Sequence, residues 1–228
     1  ARPDSILNGK CAYEYRKDFG KELAKEADID ADLIVPVPDS GNAAAIGYSQ
    51  YVGRNFDLGI IRNHYVGRTF IEPVQKIRSL GVKLKLNANK STIKNKKIIL
   101  IDDSLVRGTT CHKIVKMLYD SGAKEVHVGI ASPEIRFPDF YGIDIPTKKE
   151  LLAANKNNDE ICEYINAKSL KFLSVNGMYK AMGFEKRNST YPQLTDHYFT
   201  GEYPVKPVDN LGDDKVTQLS LLSTSSNN

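Results

Sequence analysis

Ile98-Ile99-Leu100-Ile101-Asp102-Asp103-Ser104-Leu105-Val106-Arg107-Gly108-Thr109-Thr110 is the stretch on which the fold turns. A wholly apolar run passes straight into two adjacent carboxylates. After the spacer Ser104–Arg107 it turns at a glycine and opens a helix on two threonines. Neighbouring aspartates at a strand end repel each other and are costly to bury unpaired. They become favourable where a ligand brings hydroxyl donors or a cation. Gly108 lets the backbone approach a ligand closely. Thr109 and Thr110 offer hydroxyls and free N–H groups at a helix start, which suits a phosphate. One ligand class satisfies both halves: a sugar with vicinal hydroxyls and a phosphate a few ångströms away. A bare Asp-Asp pair would read as a solvated turn; the whole string does not.

Outward from this stretch, strands and helices alternate. The sequence predicts an amphipathic helix over 11–27, with Tyr15, Phe19, Leu23 and Ala24 on one face. A strand is expected at Leu33–Val37 and a small-residue helix at Asn42–Val52, followed by an apolar run at Leu58–Ile61. Beyond a polar, basic stretch from Arg62 to Asn95 come a strand at Lys97–Ile101, a helix at Thr110–Tyr119 and a strand at Glu125–Ala131. Gly122 is a plausible C-cap of that helix. Further helices are expected at Lys149–Ala154, Glu160–Ile165 and Val175–Ala181, with a strand at Leu170–Leu173. Short, almost wholly apolar strands separated by helices imply an α/β fold: a mostly parallel, twisted sheet covered on both faces. Ligands of such sheets bind beyond the carboxyl ends of the strands. Both Asp102–Thr110 and the turn Pro38-Asp39-Ser40-Gly41 fall there.

The 228 residues suit one domain with a tail. The expected division is 1–184 for the domain, with a lid at about 62–95, and 185–228 for an extension whose end reads as disordered. A net charge of +4 accommodates an anionic small molecule without calling for nucleic acid. No apolar run approaches the roughly 18 residues of a membrane span, and no secretory signal is evident. Cys11, Cys111 and Cys162 form no CxxC pair, and an odd count argues against a disulfide framework. Reduced thiols in a cytoplasm are expected, with Cys111 a buried, inert one. The chain begins at Ala1 rather than methionine and reads as processed or cut from something longer.

The Asp102–Thr110 string resembles the phosphoribosyl-diphosphate fingerprint of the type I phosphoribosyltransferases. Ser104-x-x-Arg107 narrows the likeness to the amidophosphoribosyltransferase branch. Ala1–Ser5, Val37–Ser40, Asn63–Ile71, Lys85–Ala88, Pro133–Pro138 and Tyr141–Asp144 agree with it, and the likeness spans about 1–183. The resemblance implies the type I fold with a mobile lid. Its activity would be substitution of the diphosphate of 5-phosphoribosyl-1-diphosphate by ammonia, giving phosphoribosylamine for purine synthesis, with Mg²⁺.

On its residues alone, Pro38–Gly41 reads as a helix N-cap at Ser40 or Asn42; the resemblance makes it the diphosphate loop. It implies metal ligation by Ser40, Asp102 and Asp103, catalysis by Asp102, Asp103 and Arg68, and substrate contacts from Asp39, Ser40, Gly41, Ser104, Arg107, Gly108, Thr109 and Thr110. Within the basic stretch, Tyr65, Val66, Phe70 and Ile71 are interleaved with charges, which a merely solvated loop has little use for. The resemblance makes it a water-excluding lid that contributes Tyr65, Arg68, Thr69, Phe70 and Lys76. His64 reads as a contact residue, and Arg136 as a phosphate ligand or a structural ion pair. Neutral ammonia needs no strong general base. Two other readings stay open: a salvage transferase for purine or pyrimidine bases, and a non-catalytic regulator of the same fold.

The resemblance also implies a homo-oligomer, inhibition by purine nucleotides, and a glutaminase domain that this chain lacks. One branch of the family holds an iron–sulfur cluster through cysteines. This chain has Asp139 at one of those places and no cysteine around Thr190–Tyr198, so no cluster is expected.

Overall fold

The structure is a computed structural model and describes residues 2–27, 29–63, 86–141 and 147–205. An antiparallel hairpin, β1 (Ile6–Leu7) and β2 (Lys10–Cys11), leads into α1 (Ala12–Glu26). Strand β3 (Leu33–Pro36) and helix α2 (Asn42–Val52) follow. Next come β4 (Ile60–Arg62), β5 (Leu86–Ala88) and the single turn α3 (Lys90–Ile93). The motif elements are β6 (Lys97–Asp102) and α4 (Thr109–Asp120), followed by β7 (Glu125–Ile130). A 3₁₀ turn at Lys148–Glu150 precedes α5 (Leu152–Asn155), α6 (Asn158–Ile165), β8 (Ser169–Phe172), α7 (Val175–Ala181) and α8 (His197–Thr200).

The sheet is parallel, in the order β3-β6-β7-β8. Period-two alternation sorts its side chains into two cores. Leu33, Val35, Ile98, Leu100, Val126 and Val128 face α4 and α6, packing with Ile114, Val115, Leu118, Ile161 and Ile165. Ile34, Ile99 and Ile101 face the other way, onto Leu23 and Ala24 of α1, Ala44, Ala45 and Tyr48 of α2, and Tyr179 of α7. Both faces are therefore covered along β3 and β6, which is why these two strands read as unbroken apolar runs, while β7 and β8 alternate with polar residues. Ile98 to Ile101 are at most 1% exposed. Each contributes about 1.5–3 kcal/mol of burial, and together they anchor the aspartates that follow.

Most predicted elements occupy their places within a residue or two. Three differences have physical reasons. The apolar run at Leu58–Ile61 stays out of the sheet: β4 pairs antiparallel with β5 as a separate ribbon, and Phe56 bridges Ile34 instead. Part of the expected lid is therefore ordered base, since β5 and α3 lie within 62–95 and Ile93 is fully buried. The helix expected at Lys149–Ala154 is split into the 3₁₀ turn and α5. The extension past 184 is packed onto the domain as far as 205: Leu194 and Phe199 join the second core, and Asp196 and His197 are buried.

Candidate active site

Chain order and sheet order together locate the crevice. From β3 the chain passes through α2 to Phe56, which bridges β3 on its outer side, and then returns to place β6 on the inner side. The direction of winding reverses at β3–β6, and a doubly wound sheet opens its ligand crevice at such a point. Two loops leave the carboxyl ends there: Val37–Gly41 after β3 and Asp103–Gly108 after β6.

The two loops touch. Ser40 Oγ donates to Asp102 Oδ1 at 3.0 Å, and Val37 N–H donates to Ile101 O at 2.9 Å. A Cβ on Gly41 would lie 2.2 Å from Ile101 O, so only glycine lets the first loop close onto β6. The Pro38–Asp39 peptide is cis. Asp103 N–H donates to Asp102 Oδ1 at 2.8 Å, and Ser104 Oγ to Asp103 Oδ1 at 3.1 Å. Gly108 holds the left-handed conformation, φ 72°, as the N-cap of α4, and no side chain caps that helix. The N–H groups at its start are thus left for an outside acceptor. Ser40, Asp103, Thr109 and Thr110 are exposed around a half-buried Asp102.

Asp102 is electrostatically conspicuous. Burial, and secondarily the Asp103 carboxylate beside it, lifts its pKa to about 7 against the opposing pull of the Asp103 N–H and the Ser40 hydroxyl. Cys111, one turn into α4, is 4% exposed and pushed up to about 12, chiefly by burial, as befits an inert thiol.

Among the described residues no group of three or more His, Cys, Asp or Glu could hold a metal alone. The adjacent carboxylates and the Ser40 hydroxyl are hard oxygen donors, and the charge conflict at Asp102 is of the kind a cation relieves. That fits Mg²⁺, which usually takes one or two carboxylates and completes its shell with water and phosphate oxygens.

Other expected residues sit as follows. Asp39 pairs with Arg62, at the end of β4, which ties the first loop to the ribbon. Arg107 turns to Glu150, its Nε donating at 3.3 Å. Arg136 pairs with Glu134, the structural alternative of its two readings. Tyr65, Arg68, Thr69, Phe70 and Lys76 of the lid, and His64, lie outside the described residues. Asp139 meets His197, Nε2 to Oδ1 at 2.5 Å, with both side chains 1% exposed. Sequence reasoning missed the Arg62–Asp39 and Arg107–Glu150 pairings, which join chain positions too far apart for any local pattern to show.

No protein-family model matches the chain. It is 55% identical to an amidophosphoribosyltransferase of Rhizobium etli over 225 residues, which are 98% of this chain and 45% of that protein. With an amidophosphoribosyltransferase of Staphylococcus aureus it shares 50% identity, covering 90% of this chain and 41% of the relative. Over nearly its whole length the chain is thus similar to one part of the amidophosphoribosyltransferases. It spans about half the length of the curated relatives it matches, as their phosphoribosyltransferase domain. Among solved structures, the glutamine phosphoribosylpyrophosphate amidotransferase of B. subtilis, complexed with ADP and GMP, superposes with a TM-score of 0.80 at 46% identity, over 90% of this chain and 45% of that one. The allosteric regulatory enzyme of purine biosynthesis gives 0.79 at 47% identity, over 90% and 44%. The expected type I phosphoribosyltransferase fold is thereby shown. No helix among the described residues is long and apolar enough to cross a membrane.

Proposed function

We propose that this chain carries the phosphoribosyl-transfer step of an amidophosphoribosyltransferase, displacing diphosphate from C1 of 5-phosphoribosyl-1-diphosphate with ammonia to give phosphoribosylamine for cytoplasmic purine synthesis. The observation that carries the reading is the Ser40–Asp102 contact at the reversal of the sheet, beside an uncapped helix start. It supports the reading by bringing into one crevice the first loop, the paired carboxylates and the free helix start, which the reading assigns to the diphosphate, the ribose hydroxyls and the 5-phosphate.

In the proposed reaction the Asp102 and Asp103 carboxylates fix the ribose 2′ and 3′ hydroxyls and favour the positive charge that grows on the ring. The N–H groups and hydroxyls of Thr109 and Thr110 hold the 5-phosphate. Ser104, Arg107 and Gly108 belong to the same phosphate loop. The Asp39–Gly41 backbone faces the departing diphosphate. Mg²⁺, held by Asp102, Asp103 and Ser40, would neutralise charge accumulating on that leaving group. Tyr65, Arg68, Thr69, Phe70 and Lys76 are assigned to a cover that excludes water, with Arg68 on the leaving group. Release of ammonia from glutamine belongs, in this reading, to the half of the relatives that this chain does not span. Homo-oligomerisation and inhibition by purine nucleotides are part of the same proposal.

The test is diphosphate release by the purified chain, with Mg²⁺, 5-phosphoribosyl-1-diphosphate and either ammonium, glutamine, or adenine, hypoxanthine or orotate. Ammonium should support release, more strongly at higher pH where NH₃ is more abundant, and glutamine should not. Release with a base alone would turn the assignment to a salvage transferase. Ligand binding without release under any of these conditions would leave a sensor of the same fold.

A further inference from the structure

Three consecutive residues of the phosphate loop are held from one side by a segment that the proposed mechanism does not use. Val106 O accepts a hydrogen bond from Leu152 N–H at 2.9 Å. Arg107 Nε donates to Glu150 at 3.3 Å. A Cβ on Gly108 would lie 2.5 Å from Leu152 Cδ2 and 3.0 Å from Tyr164 Cε1, so the glycine is pressed against both side chains.

The segment is itself fixed. Asn155 Nδ2 donates to the carbonyls of Lys148 at 2.8 Å and Leu151 at 2.7 Å, closing the turn on itself. Leu151 is fully buried and Ala153 nearly so. Tyr164, at the end of α6, is tied to α4 by its carbonyl, 2.9 Å from His112 Nδ1.

From this we infer that Leu152 is a positioning residue for the phosphate loop: its side chain and N–H hold Val106–Gly108 so that the left-handed Gly108 aims the first N–H groups of α4 at the 5-phosphate. The inference rests on the function proposed above. A left-handed glycine is the most permissive point of a loop. Something outside the loop must therefore select one conformation, and Leu152 is the nearest group. Because Leu152 acts on where the phosphate sits rather than on C1, its loss removes binding shared by the ground state and the transition state. That loss appears in KM and not in kcat.

The experiment uses the 228-residue chain and its Leu152→Ala and Leu152→Met variants. Calorimetric titration with Mg²⁺ and 5-phosphoribosyl-1-diphosphate is combined with ammonia-dependent kinetics. Leu152→Ala should raise Kd and KM about tenfold, well short of the roughly hundredfold that a 1 Å misplacement can cost, with kcat within about twofold. Leu152→Met, which conserves volume, should restore both constants to near the parent values. A folded Leu152→Ala with the parent's KM, a loss confined to kcat, or a failure of Leu152→Met to restore KM overturns the inference. If Leu152→Ala does not fold, Leu152→Val decides, since it keeps a branched aliphatic side chain in place but withdraws the Cδ2 methyl that touches Gly108. A rise of about threefold in KM supports the inference, and the parent's KM overturns it. If the parent chain itself fails to bind the ligand, the proposed function falls and takes this inference with it, a result distinct from tight parental binding that Leu152→Ala leaves unchanged.

Discussion

Asp102 and Asp196 are both carboxylates drawn away from water, and the protein treats them in opposite ways. Asp196, 2% exposed, receives Arg187 Nε at 2.6 Å and the Tyr179 hydroxyl at 2.8 Å. Burial pushes its pKa up, but these donors more than offset that and hold it below the usual carboxylate value. Arg187 also reaches Glu202 at 2.6 Å, and the Asp139–His197 pair lies next along the chain. At Asp102 the partners are one hydroxyl and one N–H, and the nearest charge is another carboxylate. A buried charge that is paired within the chain does structural work. A carboxylate left in conflict, as Asp102 is, suits the transient partner that the proposed function gives it.

The strongest way to break this contrast is at Asp103. Asp103→Asn should cut ammonia-dependent turnover by at least about 100-fold, since in the proposed reaction it removes a charged contact to the ribose hydroxyls and the cation. Circular dichroism should match the parent and the unfolding midpoint should not fall below it, because removing like-charge repulsion beside Asp102 does not harm the core. Turnover within a few-fold of the parent would remove this loop from the chemistry. Asp196→Ala should do the reverse. It leaves Arg187 with Glu202 alone and the Tyr179 hydroxyl without its acceptor, and should cost about 3 kcal/mol of stability in urea unfolding, while ligand affinity measured well below the transition changes little. A variant as stable as the parent would show that the Asp196 network holds nothing together.

The smallest effect, and the sharpest, concerns pH. Asp102 has a folded pKa of about 7, above its ordinary value of 3.8. The folded chain therefore binds a proton that the unfolded chain releases. The stability this provides is complete below the ordinary value and is lost as pH rises through about 7. Asp102→Asn, fixed in the neutral form, should raise the melting temperature by about 4–8 °C per kcal/mol regained for a small domain, less for a larger one. The gain should grow from pH 5 to pH 8. Binding of Mg²⁺ and ribosyl diphosphate to the parent should weaken below about pH 7 and release a proton there, measurable as a buffer-dependent heat. A pH-independent difference in melting temperature would place the Asp102 carboxyl in ordinary solvent.

The sheet and the two loops at its carboxyl ends were legible because their causes are local: apolar runs of strand length, a glycine turn, threonines opening a helix. The cause of hairpin β1–β2 is equally local, since Asn8-Gly9 between its strands is a strong turn signal. The Asn157–Glu160 capping box, which starts α6 two residues before the predicted helix, is another. What could not be read is what joins distant parts of the chain. Nothing around Arg187 says that it meets Asp196 and Glu202, and nothing near Gly108 says that Leu152 presses on it. Burial of a polar pair has no period. At the site, Asp102, Asp103, Ser40 and Gly41 could be named from the sequence and its resemblance, whereas Arg62 as the partner of Asp39 could not.

The hydrogen bond between Ser40 and Asp102 joins residues 62 positions apart, and the pairing of β3 with β6 is what makes it possible. Neither loop can therefore act as half a site in a partly made chain. During synthesis the first loop is complete long before Asp102 is added, and it has no partner until β6 has docked. Contacts of such separation form late and slowly. A ligand that spans both loops can stabilise only molecules in which that pairing is already made. Ribosyl diphosphate added during refolding should then slow unfolding without hastening the first events of folding.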